Sequence, residues 1–142
     1  MLFRSNIYLI SQVRARMGFP DQLQAFTRMA EAYPSAYHKE IEEKANGAAL
    51  IQVARQTLPG LIANNPKTSK EARLASVAPL YRAGNVYYPN PQTSPWVNEN
   101  IREITRFPRA KHDDTVDVAS MACTHLGRIA SSLSRLSALT RL

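Results

Sequence analysis

The sequence predicts an α/β fold in which helices connect parallel strands. Segments with strand character, at residues 7–10, 37–42 and 61–63, alternate with longer segments whose apolar residues recur at helical spacing. Parallel strands need such crossovers, because each connection must return the chain to the same end of the sheet. The chain has 142 residues, 44% of them hydrophobic, which is enough to bury one ordinary core, so one domain is expected.

Two strand–helix units are predicted in the first half of the chain. Residues 7–10 are a partly β-branched apolar run, and the helix after them begins at Pro20 and is closed by Pro34. Residues 37–42 are extended, and a second helix follows Gly47. Because the first strand comes so soon after the start of the sequence, the chain is expected to begin within a fold.

The second half is predicted to be mainly helical. Ser69 is a suitable N-cap for a third helix, and Gly84 is the C-cap glycine that ends it, just before an apolar segment at residues 86–88. Residues 96–105 indicate a short fourth helix. A long helix is indicated from Asp113 onward by apolar residues at helical spacing.

Composition restricts the partners and the compartment. Eighteen Lys and Arg against eleven Asp and Glu give a net charge of +7 and a pI near 9.9, which favours a polyanionic partner because neutralising phosphates releases counterions. The single cysteine, Cys123, cannot form an internal disulfide and suits a reducing compartment. No stretch approaches the roughly 20 apolar residues of a membrane span. A cytoplasmic protein without a membrane segment is therefore expected.

Two adjacent glutamates mark the end of the second predicted strand. In open α/β sheets functional groups gather at the carboxyl ends of strands, and Glu42 and Glu43 stand at such an end. The structural alternative is that both are simply the solvated exit of a strand.

A second acidic cluster stands at the start of the long helix, where His112 is followed by Asp113, Asp114 and Asp117. Carboxylates at a helix N-terminus interact favourably with the helix dipole and cap free amides, which is the structural alternative. One aspartate satisfies a cap, however, and three exceed that need. Because residues three or four apart share a helix face, these carboxylates repel each other unless a cation or a basic group lies between them.

Carboxylates on separate elements indicate a hard divalent cation. Mg²⁺ or Mn²⁺ is held by a few carboxylates, waters and phosphate oxygens, and two such ions about 4 Å apart activate water and stabilise the leaving oxygen in phosphodiester cleavage. The three histidines are scattered and the lone cysteine adds no zinc-ligand spacing. A phosphate-binding loop of the GxxxxGK[ST] type is absent from the sequence.

Three segments together resemble the nuclease domain of phage large terminases. Residues 41–47 read IEEKANG, similar to a "(V/I)E-acid-KANG" segment, and residues 107–117 read FPRAKHDDTVD, similar to "FP…HDDxxD". Between them, residues 70–89 read KEARLASVAPLYRAGNVYYP, similar to "K…R…aPLf.aGnVylP". The three segments occur in the order that the family has.

This resemblance implies an RNase H-like fold that is N-terminally truncated and lacks its first strand or strands. It also implies an endonuclease that uses Mg²⁺ or Mn²⁺ to cut concatemeric viral DNA. It implies that Glu42, Asp113 and Asp114 are the catalytic, metal-binding carboxylates. It gives supporting roles to Glu43, His112 and Asp117. It gives phosphate contacts to Lys70 and Arg73, for which a solvated helix face is the structural alternative.

The resemblance also implies how the chain is divided and what it binds. Residues 1–130 are expected to be a partial nuclease domain and residues 131–142 a helical or frayed tail. The family's first catalytic aspartate and its ATPase domain would lie outside this chain. The expected partners are double-stranded DNA, the N-terminal terminase portion, the portal and the small terminase subunit, in the cytoplasm of a bacterial host cell. The alternative function is a non-catalytic fragment that binds DNA or the packaging motor.

Overall fold

The computed structural model of the chain describes residues 6–44 and 47–139, and the side chains of these up to residue 129. Strands and helices alternate over most of this part of the chain, as the sequence predicts. In chain order the elements are β1 (Ile7–Tyr8), α1 (Phe19–Ala32), β2 (Lys39–Glu42), α2 (Gly47–Ala54), β3 (Leu61–Asn64), α3 (Lys70–Arg82), β4 (Val86–Tyr87), α4 (Trp96–Arg106) and α5 (Asp114–Leu139).

The chain divides into two compact units, and the first comprises Met1–Gln12 and Thr68–Leu142. Within its described residues β1 and β4 pair in parallel, and helices α3 and α5 pack against each other. The pairing joins Ile7 to Val86. The core of this unit is formed by small and branched apolar side chains. These are Ile7, Val77 and Cys123, with Leu74, Leu80, Tyr81 and Val86 packed against them.

The second unit, Val13–Lys67, contains α1, β2, α2 and β3. Strands β2 and β3 run parallel over four residue pairs, from Lys39 opposite Leu61 to Glu42 opposite Asn64. Helix α2 is the crossover between them, and it buries Ile51 and Ala54. The prediction of parallel strands joined by helices is thus confirmed, with one such pair in each unit.

Local sequence signals set several of the element ends. The Ser69 hydroxyl accepts a hydrogen bond from the Ala72 amide at 3.2 Å, which confirms the predicted N-cap of α3. Gly84 has a φ of +68°, the left-handed conformation that glycine adopts most readily just beyond a helix. Helix α2 ends at Ala54, and a turn carries the chain to Gly60, also left-handed with a φ of +76°.

Two sequence predictions extend past what the structure describes. Helix α5 continues through Leu139, so the tail is helical over residues 131–139, while residues 140–142 lie outside the described residues. The division at residue 130 stays a prediction. Residues 45 and 46 of the IEEKANG segment also lie outside. Among the residues that the structure describes, each helix is too short or too polar to cross a membrane.

Candidate functional site

Glu42 is the last residue of β2, at the carboxyl end of the parallel β2–β3 pair. Its side chain is 22% exposed, and Lys44 Nζ lies 2.8 Å from its Oε1. That oxygen is shielded from solvent, and its geometry toward the ammonium is not that of a hydrogen bond. Glu43, by contrast, is exposed, so the solvated-exit interpretation describes Glu43 and not Glu42.

Asn64 occupies the matching strand end beside Glu42 and was not singled out from the sequence. It is the last residue of β3 and the register partner of Glu42. Its side-chain Nδ2 donates to Glu40 Oε1. Because alternate residues of a strand share a face, Glu40 and Glu42 lie on the same side of β2. The segment after Ala63 has the composition of a turn, which hid the role of Asn64 in the sheet.

Gly47 begins α2 directly against the backbone of Glu42. A Cβ atom added at Gly47 would lie 2.0 Å from the Glu42 carbonyl oxygen and 3.1 Å from its carbonyl carbon. The Gly47 amide also donates to the Lys44 carbonyl at 2.8 Å. The glycine of the IEEKANG segment therefore allows a close backbone approach that fixes where β2 ends and α2 begins.

The acidic cluster lies at the start of α5, as predicted. The Asp113 carbonyl accepts the Val116 amide at 3.0 Å, and Asp114 is the first residue of the helix. Asp114 and His112 are exposed and Asp113 is half-buried. The three side chains are thus accessible at one helix end.

A glutamate from another helix satisfies part of the α5 N-terminus. Glu103 of α4, only 5% exposed, accepts the Thr115 amide at 3.3 Å with Oε2, and the same oxygen accepts the Thr115 hydroxyl. A cap is therefore supplied from outside the acidic cluster. Glu103 was not predicted, because the helical periodicity of α4 alone does not show which polar residue faces inward.

Two basic residues of α3 hold the carboxylates of α5. Lys70 Nζ lies 2.9 Å from Asp113 Oδ1 and 2.7 Å from Asp117 Oδ2. Arg73 Nη2 donates to Asp117 Oδ1, and its Nη1 donates to the Thr68 carbonyl at 2.8 Å. Both oxygens of Asp117 are therefore engaged by basic groups. We call these four side chains, Lys70, Arg73, Asp113 and Asp117, the α3–α5 ion-pair network.

This network supplies the basic group that the spacing of the aspartates requires. Burial disfavours the charged form of Lys70, but its hydrogen bonds to Asp117 and Asp113 outweigh this, and its pKa is raised. Arg73 is 9% exposed, so the solvated-face alternative is wrong for that residue. The phosphate contacts of Lys70 and Arg73 stay a prediction.

The donor chemistry of the predicted ligands fits a hard divalent cation. All three are carboxylates, the ligand type that such a cation prefers, and the shielded Oε1 of Glu42 already lies beside a cation, the Lys44 ammonium. Among the residues that the structure describes, no group of three or more His, Cys, Asp or Glu side chains is arranged to hold a metal ion. Asp113 and Asp114 belong to the first compact unit and Glu42 to the second.

Comparison with known proteins identifies the family. The family model described as a terminase RNaseH-like domain matches residues 7–126, which contain Glu42, the α3–α5 ion-pair network and Asp114. No curated protein and no solved structure gives a significant match to the chain. A domain of this kind has a nuclease-related role in terminases, with DNA and packaging components as partners in general, and RNase H-like nucleases generally use divalent metal ions. Since the match covers most of its length, the chain belongs to the terminase RNase H-like domain family.

Proposed function

We propose that the chain contributes part of the endonuclease site of a phage DNA-packaging terminase large subunit, which cuts concatemeric viral DNA with the help of Mg²⁺ or Mn²⁺. The observation that carries the proposal is the position of Glu42. Its carboxylate stands at the carboxyl end of a parallel strand, where α/β folds place their functional groups, and its shielded Oε1 is paired with the Lys44 ammonium at 2.8 Å. The same negative charge suits a divalent cation, which would compete with that ammonium for the carboxylate.

Glu42, Asp113 and Asp114 are the proposed metal-binding, catalytic residues. A bound divalent ion would supply an activated water and would stabilise the negative charge that develops on the phosphate. Asp113 and Asp114 are suited to bind it because they lie at the accessible start of α5, where Glu103 holds the Thr115 amide. One oxygen of Asp113 is paired with the Lys70 ammonium, for which a bound ion would compete.

Asp117, Glu43 and His112 take the supporting roles. Both oxygens of Asp117 are held by Lys70 and Arg73, which favours a part in fixing the first turn of α5 over direct metal binding. Glu43 and His112 are exposed beside proposed ligands, where they can hydrogen-bond to waters of the metal.

The proposed substrate is double-stranded DNA, and the net charge of +7 favours binding to it. The N-terminal terminase portion, the portal and the small terminase subunit are proposed as further partners.

The alternative function is a non-catalytic fragment that binds DNA or the packaging motor. The same positive charge favours it, because neutralisation of phosphates does not require the carboxylates. It predicts salt-sensitive DNA binding that the Asp113→Ala and Asp114→Ala substitutions leave unchanged.

Nicking of supercoiled plasmid tests the proposal. The purified chain is assayed with Mg²⁺, Mn²⁺ or EDTA, beside a Glu42→Ala, Asp113→Ala, Asp114→Ala triple variant. A second triple variant, in which the exposed residues Asp21, Glu31 and Glu71 are changed to Ala, alters the net charge equally and serves as the control. Metal-dependent nicking that the first variant loses and the second keeps supports the proposal. A folded chain that binds DNA without nicking it, in either metal, favours the alternative.

A further inference from the structure

The Lys70 ammonium lies between two carboxylates at the start of α5. Asp113, the residue just before α5, and Asp117, in its first turn, are four residues apart, and the ammonium lies 2.9 Å and 2.7 Å from one oxygen of each. Two carboxylates on one helix face repel each other, and a cation between them removes that repulsion. A lysine therefore fills the place of a counter-ion beside a proposed metal ligand.

The two carboxylates differ in what else holds them. Asp117 is also bound by Arg73, a buried side chain that is anchored on the Thr68 carbonyl. The side chain of Asp113 is 42% exposed, and Lys70 is the partner that orients one of its oxygens. Asp117 can thus keep its place through Arg73 when the ammonium moves, while Asp113 becomes able to bind an ion from solvent.

We propose that Lys70 is the resident counter-ion of Asp113 and Asp117, and that a divalent cation binding at Asp113 displaces its ammonium from that carboxylate. This rests on the proposed metal-dependent function. Lys70 is then a positioning residue that keeps the start of α5 in order before the metal binds. Once displaced, the ammonium is available to the phosphate of DNA, which would reconcile the ion pairs with the predicted DNA contact.

Two effects of removing Lys70 oppose each other, and their sizes decide the sign. Loss of the ammonium leaves Asp113 less well oriented, which weakens metal binding. It also removes a positive charge that repels a divalent ion. The ammonium lies 2.9 Å from Asp113, so an ion at that carboxylate must compete with it at close range, whereas the half-exposed Asp113 side chain can turn toward an ion without the lysine. The lost competition is therefore expected to be the larger effect, corresponding to metal binding that is about ten-fold tighter.

Mn²⁺ binding to the whole chain in the absence of DNA tests the inference, by water-proton relaxation enhancement. The variants are Lys70→Met, Lys70→Gln as a second neutral side chain, and Lys67→Met, which removes the same charge from an exposed residue three positions earlier. We expect both Lys70 variants to bind Mn²⁺ about ten-fold more tightly than the native chain and Lys67→Met to bind it as the native chain does. Circular dichroism identifies any variant that has lost its fold.

The site of the effect is checked with Asp113→Asn added to Lys70→Met, which should abolish the gain. In the native chain, addition of Mg²⁺ should shift the NMR signal of the Lys70 ammonium, a measurement that needs no variant. Unchanged or weaker Mn²⁺ binding in both Lys70 variants would overturn the inference, as would a gain that survives Asp113→Asn, or an unmoved ammonium signal at saturating Mg²⁺. A chain that shows the exchange but nicks no plasmid contradicts the proposed function alone.

Discussion

Substitution of Gly47 by alanine is the most direct test of how the end of β2 is built. The added methyl group would stand 2.0 Å from the carbonyl oxygen of Glu42, closer than a carbon atom approaches an oxygen in a real structure. The obstacle is backbone, which cannot move aside as the end of a flexible side chain can. Either α2 or the last residue of β2 must shift.

The expected loss of stability exceeds the gain that alanine normally brings to a helix. Alanine is favoured over glycine within a helix by about 0.5–1 kcal/mol. Forcing an extra methyl group into a filled space costs roughly 1–3 kcal/mol, and a clash with fixed backbone belongs at the upper end of that range. We therefore expect Gly47→Ala to lower the free energy of unfolding by about 2 kcal/mol, which for a chain of this size lowers Tm by roughly 6 °C.

Gly127 provides the matched control, because it is also helical and a Cβ added there meets nothing within 4 Å. Thermal unfolding followed by circular dichroism should show opposite signs, with Gly47→Ala less stable than the native chain and Gly127→Ala equally or more stable. Where the chain nicks plasmid, Gly47→Ala should also lower that activity under conditions in which it is folded. A Gly47→Ala variant with native or higher Tm would refute the close approach of α2 to Glu42.

Four further outcomes are expected. Asp117→Asn should lower the free energy of unfolding in urea by about 3 kcal/mol, because it leaves the buried charge of Arg73 uncompensated, and a change below about 1 kcal/mol would contradict this. Thr115→Val should cost about 2 kcal/mol in the same assay through the lost hydrogen bond to a buried carboxylate, whereas Thr115→Ser should cost less. Cys123 is 2% exposed, and burial raises the pKa of its thiol, so a maleimide should label it only as the chain unfolds. Rapid labelling of the native chain would contradict the burial of Cys123 in the core of the first unit. Burial also raises the pKa of the Tyr81 hydroxyl above that of a free tyrosine, so the stabilising contribution of Tyr81 is complete below about pH 10 and is lost at higher pH. The Tyr81→Phe substitution should therefore flatten the loss of stability at alkaline pH.

The order of elements was predictable because their ends carry local signals. Ser69 and Gly84 bound α3 through a hydroxyl cap and a left-handed turn, and both depend on residue type alone. The grouping of the strands was not predictable in the same way. Pairing of β1 with β4 joins residues about 80 positions apart in the chain, from Ile7 to Val86, and periodicity holds no information on such contacts.

In the candidate site, too, some features were predictable from local sequence and others depend on tertiary contacts. The residue types and spacing of Glu42, Asp113 and Asp114 point to hard-metal chemistry without a structure. The partners of these acids depend on tertiary contacts. Glu103 reaches the start of α5 from α4, and Asn64 stands opposite Glu42 through the register of two strands. The sequence alone therefore shows neither residue as part of a site.

The α3–α5 ion-pair network changes which charges are available to DNA without changing their sum. Lys70 and Arg73 are engaged by Asp113 and Asp117, so two positive and two negative charges are withdrawn together and the net charge of +7 is unaltered. Electrostatic attraction to DNA can then persist in a chain whose proposed metal-binding carboxylates are substituted. For this reason DNA affinity alone cannot distinguish the nuclease from the binding fragment, whereas the dependence of nicking on metal ions and on the three proposed carboxylates can.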